Sequence, residues 1–120
     1  MSKEPKIEPK DRGRFNRLIE EMTTCVKSLG DYAPAFDDPL IAEIAKAIIY
    51  IEKAEQWLDQ AESVDVAASA TDIIAKRSAM MHQAIENLAT NRKERLKQKS
   101  STEVKDEIEK FVREIMGVKG

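Results

Sequence analysis

Residues 39–62 read PLIAEIAKAIIYIEKAEQWLDQAE and decide the fold class. Apolar residues recur every three or four positions, which predicts one long α-helix. Its main apolar face carries Leu40, Ile44, Ala47, Ile51, Ala54 and Leu58. Ile41 and Ile48 widen that face on one side, and Tyr50 and Trp57 widen it on the other. An arc covering more than half of the circumference is typical of a central bundle helix or an oligomer interface. We therefore expect self-association, with Ile41, Ile48, Tyr50 and Trp57 as candidate interface residues.

The residues on either side of this helix predict where it begins and what precedes it. Asp37, Asp38 and Pro39 form an acidic cap followed by proline, which predicts a helix start at residue 39. Residues 31–38 then form a connector whose aromatic residues tuck under the bundle. Upstream, an apolar stripe predicts a helix over residues 13–29 that ends at Gly30.

Two further helices are predicted downstream. Residues 63–72 hold little apolar bulk and predict a loop, so the third helix should run from about residue 72 to 97. Ser100 and Glu103 match a capping box, which predicts a fourth helix that ends at Gly117. The 120 residues include only 4 Gly and 4 Pro, which disfavours a β-sandwich or barrel. We expect an all-α, oligomeric fold: an antiparallel helical bundle, with a hairpin of two long helices braced by two shorter ones. Residues 13–117 would form one domain behind a flexible basic arm, residues 1–12.

Charged residues are unevenly distributed, although the net charge is only −2. Two basic runs are candidate DNA-binding sites, and they comprise Arg12, Arg14, Arg17, Arg92, Lys93, Arg95, Lys97 and Lys99. Solvated helix surfaces explain either run equally well. The second run has a further alternative, because cations at the C-terminal end of a helix are favoured by the helix dipole. The fourth helix also leaves two interpretations open, in which Phe111 and Ile115 belong to the core or dock a partner.

No constellation of catalytic or metal-binding residues is recognisable in the sequence. His82 is the single histidine and Cys25 the single cysteine, and neither has neighbours at metal-ligand or catalytic spacing. We expect a protein without enzymatic activity, metal or cofactor. No apolar run approaches the ~20 residues that cross a bilayer, and no signal peptide is recognisable. The sequence therefore favours a cytoplasmic protein with no membrane partner.

The segments VKSLGDYAPAFDDPLIAEIA, residues 26–45, and IENLATNRKERL, residues 85–96, resemble those of small terminase subunits of tailed phages. The similar family members lack an obvious N-terminal helix-turn-helix. The resemblance rests on the segment that leads into the second helix, with Leu29, Gly30, Tyr32 and Pro34. The acidic-proline start of that helix and the Ser/Thr-capped turn before the fourth helix also match. The resemblance covers residues 15–112. The loop predicted at residues 63–72 departs from the family, whose members often have a hairpin-like insertion there.

This resemblance implies a ring-like homo-oligomer that recognises double-stranded viral DNA at the start of packaging. It also implies a large terminase subunit as partner, which would hold the ATPase and the nuclease and could dock at Phe111 and Ile115. The alternative is a helical adaptor or antitoxin-like regulator that uses the wide apolar face and ignores DNA. An enzyme is a third class, which the missing catalytic constellations disfavour.

Overall fold

The computed structural model describes residues 9–29, 32–96 and 101–117, and only the backbone of residues 91–96, 101 and 102. Within these ranges the chain is all-α, as predicted, and contains no β-strand. A short 3-10 turn, Pro9–Asp11, leads into the first of the helices. The helices are α1 Arg12–Ser28, α2 Pro34–Asp59, α3 Val64–Leu96 and α4 Ser101–Met116.

The beginning of α2 lies five residues before the predicted start at Pro39. Ala33 caps the helix in an extended conformation, and Pro34 is its first residue. The fully buried carboxylate of Asp37 accepts a hydrogen bond from the Ala33 backbone N–H at 2.9 Å. Asp37 therefore supports the cap from inside the first turns, as the acidic residue of a capping box does. The prediction that residues 34–38 form a connector is wrong, and Pro39 lies inside the helix.

The beginning of α3 also differs from the prediction. The segment expected to be a loop, residues 63–72, belongs to α3 from Val64 onward. The Ser63 hydroxyl oxygen accepts the Val66 N–H at 3.2 Å and so caps the helix. Thr71 lies inside α3, where its hydroxyl donates to the Ala67 carbonyl at 2.9 Å. Alanine is the strongest helix former, and this segment contains three alanines, so low apolar bulk does not break the helix.

Other predicted features agree with the structure. The α1 boundaries lie within one residue of those predicted. Gly117 ends α4 with a φ of 69°, the left-handed conformation that glycine adopts without strain. The capping residue proposed at Ser100 lies outside the described residues, as do residues 1–8 of the predicted arm.

One apolar core joins all four helices, and α2 and α3 share the most extensive packing. Helix α1 contributes Leu18, Met22 and Val26, and α4 contributes Val104, Ile108 and Val112. Helix α2 contributes Ile41 and Ile48, which are 1% and 0% exposed within the single chain. Both side chains belong to the core cluster to which all four helices contribute. Ile41 and Ile48 are therefore core residues here, and no second chain is needed to bury them.

Candidate functional site

The first turns of α1 place three arginines close together, Arg12, Arg14 and Arg17. Arg12 and Arg17 are exposed. Arg14 is held against α2, because its Nη2 lies 2.7 Å from Oε2 of Glu52 and its Nε donates to Oε1 at 3.4 Å. This hydrogen bond to Glu52 raises the pKa of Arg14 above its ordinary value. Arg12 and Arg17 thus remain accessible to a ligand, whereas Arg14 is anchored to Glu52 of α2.

A second ion pair fixes the same end of α1. Lys53 Nζ lies 2.8 Å from Asp11 Oδ2, and the two side chains are only 17% and 19% exposed. Lys53 follows Glu52 in α2, so two adjacent residues of α2 hold Asp11 and Arg14 in place. The arginine cluster is therefore presented from a fixed position, whereas the sequence suggested a flexible arm up to residue 12.

Helix stability does not explain this cluster. The N-terminal end of a helix carries a partial positive charge, which favours acidic side chains and disfavours cations. No acidic residue lies in the first turn of α1, and the cations Arg12 and Arg14 stand there instead. Arg12 and Arg17 are exposed near the positive end of this dipole, where an anion could reach them.

An open groove of about 690 Å³ lies between α1 and α4. It brings together residues from two separate predictions, the basic Arg14 and Arg17 and the apolar Phe111 and Ile115. Phe111 and Ile115 are half-buried and pack on the core, so they form an apolar floor. Further residues line the groove, and they are Glu20, Glu21, Thr24 and Glu114. The sequence carries no signal for this juxtaposition, because it depends on how α1 and α4 pack.

The second basic run falls at the end of α3. Arg92, Lys93 and Arg95 belong to the last turns of that helix, for which only the backbone is described. Lys97 and Lys99 lie outside the described residues. Both interpretations of this run, helix-dipole stabilisation and phosphate binding, stay predictions.

The remaining candidate interface residues flank the contact between α2 and α3. Tyr50 is half-buried, and the guanidinium of Arg77 lies over its ring at 4.1 Å from the centroid. Such a cation–π contact helps to hold α3 against α2. Trp57 is half-buried seven residues further along α2. Unlike Ile41 and Ile48, these two aromatic side chains retain surface that a second chain could contact.

His82 and Cys25 occupy ordinary positions. The His82 side chain is exposed, with Nδ1 3.6 Å from Glu109 Oε1, and the Cys25 thiol is half-buried. In the described part of the chain, no group of three or more His, Cys, Asp or Glu side chains could hold a metal ion. None of the described helices combines the length and apolar character needed to cross a membrane.

Comparisons with known proteins add no relative. The sequence matches no protein-family model, and no curated protein or solved structure is significantly similar to it.

Proposed function

We propose that this chain is a non-catalytic DNA-binding subunit, of the kind represented by phage small terminase subunits. It would recognise double-stranded viral DNA and recruit a large ATPase–nuclease subunit for genome packaging. The observation that carries DNA binding is the position of exposed Arg12 and Arg17 at the start of α1. The packaging role rests on the sequence resemblance.

The geometry supports phosphate contacts by a simple electrostatic argument. The partial positive charge of a helix N-terminus adds to the charges of Arg12 and Arg17, so this end attracts anions. Arg14 contributes less, because Glu52 already neutralises it. Two phosphate contacts from this cluster would give a slope of log affinity against log salt of roughly −2.

The test compares two doubly substituted proteins in binding to a short fluorescent DNA duplex. Arg12→Gln with Arg17→Gln should make the salt slope shallower by roughly 2 and weaken binding. The matched control is Lys46→Gln with Lys110→Gln, which removes the same charge from exposed positions on α2 and α4. Equal weakening by both pairs would mean that binding follows net charge alone, and the site at α1 would be rejected.

The second basic run is tested in the same assay. Arg92→Gln, Lys93→Gln and Arg95→Gln are introduced together, and a further loss of salt dependence is expected if the run contacts phosphates. An unchanged salt slope would leave stabilisation through the dipole of α3 as its role. The two basic runs are thus separated by experiment.

The assembly is also part of the proposal. We propose that α2 and α3 form an antiparallel hairpin braced by α1 and α4, and that several chains form a homo-oligomer. Tyr50 and Trp57 are the candidate contacts between chains, because both retain exposed surface. Phe111 and Ile115, on the floor of the groove, are the candidate docking residues for the large subunit.

A second candidate function is a helical adaptor or antitoxin-like regulator that binds protein alone. The groove favours it, because its apolar floor is accompanied by three carboxylates, Glu20, Glu21 and Glu114. Carboxylates repel DNA phosphates but suit a basic protein surface. Absence of salt-dependent DNA binding, together with a toxin-like gene beside this one, would favour the adaptor. A neighbouring gene for an ATPase–nuclease would favour packaging.

A further inference from the structure

The connection between α2 and α3, residues 57–66, leaves several apolar side chains in contact with solvent. We call these residues the tip. Val64 is 84% exposed, Val66 is 42% exposed and Leu58 is 39% exposed, and Trp57 beside them is half-buried. Single exposed apolar residues are ordinary on protein surfaces, whereas several at one end of a molecule make that end a candidate interaction site.

The neighbouring helices do not cover the tip. Helix α1 begins beside Glu52 and Lys53, as its two ion pairs show, whereas α2 continues to Asp59. On the other side, Glu109 of α4 lies beside His82 of α3, and α4 ends seven residues later at Met116. At 1.5 Å per residue, α4 ends well before it reaches the start of α3. The long dimension of the molecule, 51 Å against 27 Å in the other directions, agrees with a projecting tip.

The charge around the tip has one sign. Residues 54–71 contain four acidic residues and no lysine or arginine. The acidic residues are all exposed, and they are Glu55, Asp59, Glu62 and Asp65. This charge repels nucleic acids and anionic lipid surfaces and attracts cationic proteins. Two copies of the tip would also repel each other, which disfavours a symmetric contact between tips.

We propose that the tip is the docking site for a cationic amphipathic helix of a partner protein. The apolar face of that helix would bury Leu58, Val64 and Val66, and its lysines or arginines would face the surrounding carboxylates. Charge complementarity favours this occupant over DNA, lipid or a second tip. The proposal does not depend on DNA binding by α1, because the two surfaces use different residues of opposite charge.

Trp57 provides a direct probe, because it is the only tryptophan of the chain and lies in the tip. The full chain is titrated with a synthetic helical peptide of leucine and lysine, and Trp57 emission is recorded. A saturable blue shift is expected, since a docked helix removes water from the indole. A leucine and glutamate peptide of the same pattern should give no shift. Equal shifts with both peptides, or none with either, would reject the proposal.

Charge-reversed variants test whether binding is located at the tip. Glu55→Lys with Asp59→Lys should weaken lysine-peptide binding at least tenfold; both are exposed in the last turns of α2, where cations do not oppose the dipole. The matched control is Glu43→Lys with Asp106→Lys, which makes the same charge change at exposed positions elsewhere. Equal weakening by the control would show attraction to net charge alone and would overturn the proposal.

Apolar variants test the other half of the contact. Val64→Ser with Val66→Ser should weaken peptide binding several-fold while circular dichroism shows unchanged helix content. Phe36→Ser removes another exposed apolar side chain, 63% exposed, at the opposite end of α2, and should leave the affinity unchanged. If the chain self-associates without peptide and Val64→Ser with Val66→Ser abolishes the rise in mass, the tip would be assigned to a second copy, which would contradict the proposed partner.

Discussion

Asp37→Ala should lower the free energy of unfolding by roughly 1–3 kcal/mol. The fully buried Asp37 carboxylate accepts the Ala33 N–H at 2.9 Å, and loss of such a cap costs about 1 kcal/mol. The carboxylate also lies near the positive end of the α2 dipole, which adds roughly 0.3–1 kcal/mol, up to about 2 where partly buried. Asp37→Asn keeps an acceptor but loses the charge, so its effect should be smaller.

Urea unfolding followed by circular dichroism measures these changes, with the slope against urea concentration expected to stay constant. The adjacent acid provides a control: Asp38 is exposed, and its carboxylate accepts a hydrogen bond from the Tyr32 hydroxyl. Asp38→Ala should therefore cost less than Asp37→Ala, because the Asp38 carboxylate is exposed to water. If Asp37→Ala cost no more than Asp38→Ala, the cap would not stabilise the start of α2, and this explanation of its position would fail.

Three further perturbations address the core, the connector and the anchor of α1. Ile85→Ala removes a fully buried side chain and should cost about 2–5 kcal/mol in urea unfolding, so a loss below about 1 kcal/mol would contradict the described core. The hydrogen bond to Asp38 raises the pKa of Tyr32 to about 12. The stability that this bond contributes to the fold is therefore complete below pH 10 and is lost as the pH rises toward 12. Ring NMR should show the Tyr32 pKa falling toward 10 in Asp38→Ala, and an unchanged pKa would rule out this hydrogen bond. A double-mutant cycle for Arg14 and Glu52, whose side chains are 35% and 32% exposed, should give a coupling of about 0.5–1 kcal/mol that falls in high salt. A coupling of zero would mean that this pair does not anchor α1.

Local sequence patterns predicted α1 and the end of α4 well. The apolar stripe through Leu18, Met22 and Val26 is fully buried as expected, and Gly117 has the left-handed conformation that ends a helix. Both features depend on periodicity and glycine stereochemistry, which are local properties of the chain. The prediction of an all-α fold rests on the same local properties of the sequence.

The starts of α2 and α3 were mispredicted because several residues could serve as caps. Asp37 can cap a helix from in front of it or accept a hydrogen bond from inside its first turns, and burial selects the second role. Ser63, Ser69 and Thr71 are all capable N-caps, and α3 begins after Ser63 because the Ser63 hydroxyl accepts the Val66 N–H and the alanines that follow favour a helix. The groove that joins Arg17 to Phe111 depends on tertiary packing in the same way.

Affinity for double-stranded DNA at increasing salt tests the central claim most directly. The unmodified chain is titrated against a DNA duplex, and the slope of log affinity against log salt is determined. DNA binding through Arg12 and Arg17 predicts a slope of roughly −2 or steeper, so binding should weaken at least about tenfold between 50 and 200 mM salt. Absence of binding at low salt, or an affinity that does not change with salt, would contradict DNA recognition and favour a protein adaptor.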